Sequence, residues 1–145
     1  MDIAVVKQAD GRHRAVVTTD DGTVQFAVAD YGTHLPHDLV HYAVERALGM
    51  RYGFWGLIAA GARFDSVAAF GARRPRRLAA VDDPLVAAHA AELGEAERVA
   101  NAVSRPGAEA GLAAGMRAVM DAELARLTTE WHALGVGGVL RLRWP

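Results

Sequence analysis

Two Asp-Gly turns near the start of the chain constrain its fold more than any other feature. Asp10-Gly11 and Asp20-Asp21-Gly22 separate three short, apolar-rich runs at residues 3–7, 12–18 and 23–29. Asp-Gly is typical of tight β-hairpin turns because both residues tolerate the positive φ angles that such turns require. In the third run, apolar side chains alternate with smaller or polar ones, as in a half-buried strand. The sequence therefore predicts an antiparallel β-meander at this end of the chain.

The middle of the chain favours helices. Pro36 suits a first helical turn and Gly49 a C-terminal stop, which predicts a helix that runs to about Leu48. Further helices are predicted over residues 54–63, from an Asp83-Pro84 start to about Val103, and along the helical spacing of apolar residues from Leu112 to Trp131. Residues 139–144 then alternate apolar residues with arginine, which indicates a closing strand.

These elements predict an α+β fold. At 145 residues the chain is the size of one ordinary domain, so we expect a single α+β domain over residues 1–145. In it, the N-terminal β-meander is joined by the C-terminal strand and packs against four or so α-helices. The arginine-rich segment at 73–77 is predicted to be a solvated loop.

Composition narrows the classes of function and partner. The formal net charge is -1, so the overall field gives no reason to expect nucleic acid or an anionic membrane as a partner. The chain has no cysteine, which excludes disulfides and thiolate metal sites and leaves any metal to histidine and carboxylate ligands. We see no signal peptide and no apolar run of membrane-spanning length, and therefore expect a soluble, cytoplasmic protein.

The segment from His37 to His41 carries the main functional signal. His37 and His41 are four residues apart, so on a helix their rings stack on one face and can share a metal ion. The segment varies the His-Glu-x-x-His pattern of metal hydrolases, with Asp38 in the glutamate position. Glu45 lies one turn further on and is our candidate third ligand. Asp38 is the candidate catalytic residue, as general base on a metal-bound water, with ligand or orienting roles left open.

The sequence leaves the third ligand and the metal open. Other candidates for the third ligand are His34, Asp65, His89 and His132. Imidazole and carboxylate ligands suit several divalent metal ions, of which zinc is the favoured one. Histidines at a helix edge also often serve as structural hydrogen-bond partners of carboxylates, which would need no metal.

Two longer segments resemble a family of uncharacterised bacterial proteins. Residues 35–45 are similar to an H-D-L-x-H-Y-A-V-E segment that follows a short β-meander in that family, and residues 53–59 to its aromatic-glycine helix start. Residues 131–134 and 138–142 are similar as well. The resemblance spans most of the chain, and it implies no particular activity.

Two characterised families share part of the motif. The His-Asp-x-x-His pattern resembles that of ubiquinone-biosynthesis scaffold proteins, in which it is associated with zinc, but their later glutamate falls here on Gly53. Those proteins are also largely helical, unlike this predicted meander. HD-domain phosphohydrolases likewise place adjacent His and Asp on a helix, yet they require an earlier helical histidine. Here His13 lies on a predicted strand.

Two functions from different classes follow. The first is a metal-dependent protein with His37, His41 and Glu45 at the metal, whose chemistry is hydrolase-like if it is an enzyme. The second is a non-catalytic binding or assembly module with structural histidines. The partner is a small molecule or a protein, and a homo-oligomer is compatible with the apolar helix faces.

Overall fold

The computed structural model describes residues 1–19, 22–28, 34–62, 64, 68–69, 83–104 and 111–145. Its strands are β1 (Asp2–Lys7), β2 (His13–Thr19), β3 (Gly22–Val28), β4 (Ala68–Ala69) and β5 (Val139–Arg143). Its helices are α1 (His37–Leu48), α2 (Phe54–Ala59), α3 (Pro84–Ala88), α4 (Ala90–Val103) and α5 (Ala114–Ala133). The predicted α+β class is confirmed. None of these helices is both long and apolar enough to cross a membrane.

The strands form one antiparallel sheet in the order β4-β3-β2-β1-β5. The three N-terminal strands are the predicted meander, and a short 3-10 turn at Ala9–Gly11 joins β1 to β2. The last strand returns to the other side of β1, where Leu142 lies opposite Ile3 and Leu140 opposite Val5. The prediction that the C-terminal strand joins this sheet is therefore confirmed.

The largest differences from the predicted helix boundaries occur in two places. The helix predicted from Asp83 to Val103 is interrupted at His89, where φ is -117° and ψ is 20°, so that α3 and α4 are separate. The second helix ends at Ala59, before Gly61 with its φ of +91°. A positive φ does not continue a right-handed helix, which accounts for the earlier end. The predicted loop at 73–77 lies outside the described residues.

The larger core lies between one face of the sheet and helices α1, α2 and α5. Alternate residues of three strands enter it, as period-two burial requires, and they meet apolar side chains from the helices. Its fully enclosed members include Ile3, Val5, Ala15, Val17, Leu39, Ala43, Trp55, Leu127 and Trp131. The Tyr42 hydroxyl also donates a hydrogen bond to the Arg143 carbonyl, 2.9 Å away, and so ties α1 to β5.

A second core joins α1 to α4 and α5. Val40 and Val44 of α1 pack there with Val99, Ala100 and Met120. Helix α1 consequently has apolar neighbours on two sides, and every residue from Asp38 to Glu45 is buried. The polar side chains within that stretch must find partners inside the protein, because an unpaired buried polar group is costly.

Candidate metal centre

The buried polar side chains of the described residues form two histidine–carboxylate pairs. They are His13, Asp38, His41 and Glu45. His13 Nε2 lies 3.1 Å from Asp38 Oδ2, and His41 Nδ1 lies 3.1 Å from Glu45 Oε1. Helix α1 therefore supplies three of the four residues, and each pair satisfies a buried carboxylate with an imidazole nitrogen.

His41 also belongs to a second group, which reaches the surface. The rings of His37 and His41 lie on successive turns of α1, with centroids 4.8 Å apart and planes at 86°. Oε2 of Glu97, on α4, lies 3.4 Å from His41 Nε2 and 3.6 Å from His37 Nε2. One potential ligand atom from each of these three residues lies within 4.8 Å of the other two. No other such group of three is found in the part of the chain that the structure describes.

The packing of α4 explains why Glu97 reaches this position. Near the start of α4, Glu92 Oε1 accepts hydrogen bonds from the backbone N–H groups of Arg51 and Tyr52, at 2.6 and 2.8 Å. Further along, Val99 and Ala100 pack against α1 in the second core. Because Glu97 lies between these two attachments, its carboxylate is held over the first two turns of α1.

The three side chains differ in burial. Only 3% of the His41 side chain is exposed, whereas 43% of His37 and 47% of Glu97 are. One potential ligand, His41, is therefore buried, and the other two, His37 and Glu97, lie at the surface. A metal ion held there would be open to water on one side, the arrangement found in catalytic rather than closed structural zinc sites.

The surroundings of His41 favour its charged form in the absence of metal. Burial alone would lower the pKa of His41, because desolvation disfavours an imidazolium. The hydrogen bond to Glu45 and the negative charges of Glu97 and Glu45 outweigh this effect, so the pKa of His41 is raised above its usual 6.5. A metal ion at Nε2 of His41 would have to displace this proton, because a histidine binds metal in its neutral form.

Glu45, predicted as the third ligand, lies on the far side of the His41 ring from Glu97. Its carboxylate faces Nδ1 of His41, whereas Glu97 faces Nε2. The same carboxylate accepts hydrogen bonds from the backbone N–H groups of Phe54, Trp55 and Gly56 at 2.8, 3.1 and 3.4 Å. Glu45 is thus in contact with His41, but it is outside the group formed with His37.

Asp38, predicted as the catalytic residue, is also outside the group. Its carboxylate pairs with His13 of β2, and its backbone carbonyl accepts a 2.8 Å hydrogen bond from Trp55 Nε1. Both contacts tie the first turn of α1 to its neighbours in the larger core. The structure therefore brings His37 and His41 together with Glu97, and it does not bring Asp38 or Glu45 into that set.

The alternative third ligands do not enter the group either. His89 stacks on Tyr52 with ring centroids 3.6 Å apart, and His34 and His132 are exposed residues. Asp65 lies outside the described residues.

Glu97 is the residue that sequence reasoning missed. It directly follows Ala96 at the border of the apolar stripe of α4, which also contains Val99 and Ala100. A charged residue at such a border is also typical of an ordinary solvated helix edge. Only the contact between α4 and α1 distinguishes it from neighbouring surface glutamates.

Comparison with known proteins found no counterpart of this chain. No protein-family model, no curated protein and no solved structure matches it.

Proposed function

We propose that the protein binds one divalent metal ion between α1 and α4 through His37, His41 and Glu97. The observation that carries the proposal is the convergence of the three ligand atoms within 4.8 Å of one another. Two of them come from adjacent turns of one helix and the third from a separate helix, so they approach the same point from different directions.

The spacing of two of the three ligand pairs is compatible with zinc, the metal that we propose. Bonds of about 2.0–2.2 Å to a tetrahedral zinc ion separate neighbouring ligand atoms by roughly 3.3–3.6 Å. Oε2 of Glu97 lies at 3.4 Å from His41 Nε2 and at 3.6 Å from His37 Nε2. Two of the three ligand pairs therefore already have this spacing, and all three atoms lie within 4.8 Å of one another. Two imidazoles and one carboxylate are also a common donor set for zinc.

An open coordination position supports water activation as the chemistry of the site. Three protein ligands leave a place for water on the exposed side of His37 and Glu97, and zinc makes bound water acidic enough to act as a nucleophile. The reaction class that we propose is hydrolysis by this water. Asp38 faces His13 in the core, so we assign it the role of anchoring α1 rather than that of general base.

A second candidate is a non-catalytic module in which the same residues form a structural network. The observation in its favour is that a protonated His41 already lies between two glutamates, with Glu45 at 3.1 Å and Glu97 at 3.4 Å. In that case His41 joins α4 to α1 as a charged bridge, and no metal is required.

Metal analysis separates the two candidates. We expect protein purified without a polyhistidine tag, and titrated with zinc, to hold one equivalent per chain as measured by mass spectrometry. His37→Ala, His41→Ala and Glu97→Gln should each abolish stoichiometric binding. The matched controls His132→Ala and Glu95→Gln change exposed residues outside the group and should retain it.

Failure of the parent protein to retain zinc, cobalt or manganese after dialysis would contradict the metal proposal and leave the structural network. Substitution with cobalt(II) adds a test of geometry, since a four-coordinate site has a strong visible absorption that a six-coordinate one lacks.

A further inference from the structure

Hydrogen bonds from backbone N–H groups hold the Glu45 carboxylate in a buried position. The side chain is fully buried, and Oε1 accepts from Phe54 N–H while Oε2 accepts from the N–H groups of Trp55 and Gly56. These are the first N–H groups of α2, which have no acceptor within their own helix. These hydrogen bonds therefore account for the position of Glu45 without any metal.

Gly53 provides the space that the carboxylate occupies. A Cβ atom on Gly53 would overlap Cδ of Glu45 and lie 2.6 Å from its Oε2. The φ angle of Gly53 is -72°, which any residue can adopt, so the requirement for glycine here is one of space. Gly53 and Glu45 thus form a unit: the glycine admits the carboxylate to the start of α2.

This unit determines how the His41 imidazole presents its two nitrogens. Oε1 of Glu45 lies 3.1 Å from His41 Nδ1, and a carboxylate that already accepts hydrogen bonds from three donors is an acceptor for the ring as well. Nδ1 must therefore carry a proton, and in the neutral ring Nε2 then holds the lone pair. Nε2 is buried and lies 3.4 Å from Glu97 Oε2, on the side of the ring away from Glu45.

We infer that Glu45 is the positioning residue of the metal site, which holds His41 in the Nδ1–H tautomer and directs the Nε2 lone pair to the ion. The inference rests on the proposed metal site, and it gives Glu45 a different role from that of a ligand. Carboxylate partners of this kind fix the ring orientation of a metal-binding histidine and raise its basicity. Their loss typically lowers metal affinity by about 10–100-fold.

The tautomer of His41 provides a test that needs no metal. In metal-free protein, at a pH where the imidazole is neutral, nitrogen NMR should place the His41 proton on Nδ1. His37→Ala and Glu97→Gln should keep this tautomer although they remove ligands. A proton on Nε2 in the parent protein would overturn the inference.

Zinc affinity provides the second test. Glu45→Gln is expected to bind zinc about 10–100-fold more weakly than the parent, because its amide group cannot accept from the helix and from His41 as a carboxylate does. Gly53→Ala should reproduce this loss, since its methyl group displaces Glu45. Gly94→Ala is the matched control, because a Cβ there meets nothing within 4 Å.

The outcomes distinguish the two proposals. Unchanged zinc affinity in a folded Glu45→Gln variant, with one ion still bound by the parent, would overturn the positioning role and leave the proposed function intact. A parent that binds no zinc would overturn the proposed function, and with it the role of Glu45 at a metal. Loss in both Glu45→Gln and Gly53→Ala, with Gly94→Ala unaffected, supports the inference.

Discussion

The two buried histidine–carboxylate pairs of this protein have the same contact distance and different surroundings. His13 with Asp38 and His41 with Glu45 each join an imidazole nitrogen to a carboxylate oxygen at 3.1 Å. The first pair lies between β2 and α1, where the rings of His13 and Trp131 are perpendicular with centroids 6.3 Å apart. The second pair lies beneath a surface group, so the other nitrogen of His41 faces Glu97.

The two buried pairs differ in the groups that surround the histidine, and we infer a ligand role only for the histidine that lies beside further potential ligands. In both pairs one nitrogen contacts a carboxylate that is itself held by the fold. At His41 a second carboxylate and a second imidazole stand on the opposite side, half exposed to water. At His13 the neighbouring ring is an indole within the core. We therefore assign metal binding to one pair and stability to the other.

Substitution of the histidine in each pair should show the difference in zinc affinity between the two pairs most clearly. We expect His41→Ala to lower zinc affinity by more than roughly 100-fold, because it removes a ligand rather than a ligand's partner. His13→Ala should leave zinc affinity unchanged within error, although it weakens the core. Competition with a chromogenic chelator measures both. Equal losses in the two variants would show that the pairs do not differ in the way proposed.

Removal of the carboxylate of the core pair should affect stability alone. Asp38→Ala removes the hydrogen bond between the Asp38 carboxylate and the buried His13 imidazole, and we expect it to lower the free energy of unfolding in urea by about 1–3 kcal/mol. One zinc ion per chain should still bind. A loss of zinc in a folded Asp38→Ala variant would instead place Asp38 at the metal site, as the motif alone predicts.

The surface carboxylate should show the opposite behaviour. Glu97→Gln should prevent stoichiometric zinc binding while it changes the stability of the metal-free protein by only about 0–1 kcal/mol, since the Glu97 carboxylate is half exposed and water screens its charge. Glu95→Gln, on the same helix, is the control for loss of a surface charge. A large destabilisation in Glu97→Gln without metal would favour the structural network.

The smallest expected effect is the pH dependence of the metal-free protein. The pKa of His41 is raised above 6.5, so the folded state binds this proton more tightly than the unfolded state does. Protonation of His41 therefore contributes fully to the free energy of unfolding below about pH 6.5. This contribution is lost as the pH rises through the raised pKa. Urea midpoints measured with chelator present should fall over this range, and the fall should be smaller in His41→Ala. Identical slopes in the two proteins would contradict the assignment.

Local sequence signals were sufficient for most of the fold. The Asp-Gly turns predicted the meander, Gly49 ends α1 with a φ of 64°, and the alternation of residues 139–144 marked the closing strand. The break at His89 was not predicted because the residues on both sides favour helix and no proline or glycine marks the break. The pairing of Ala68–Ala69 with β3 was not predicted either, since two residues carry no periodicity.

Only part of the candidate site could be predicted from the sequence. The four-residue spacing correctly placed His37, His41 and Glu45 in line along α1, with contacts between successive members. Spacing cannot tell which nitrogen of His41 each neighbour faces, because that depends on the ring rotamer and on where α2 begins. It also cannot reveal Glu97, which reaches the site only through the packing of α4 on α1.

Diffraction from crystals of the zinc-loaded protein, with anomalous data collected at the zinc edge, would locate the metal ion directly. We expect one zinc ion bound by Nε2 of His37, Nε2 of His41 and a carboxylate oxygen of Glu97 at about 2.0–2.2 Å, with Glu45 still at Nδ1 of His41. An ion on Glu45 or Asp38, or no ion between α1 and α4 at saturating zinc, would contradict it.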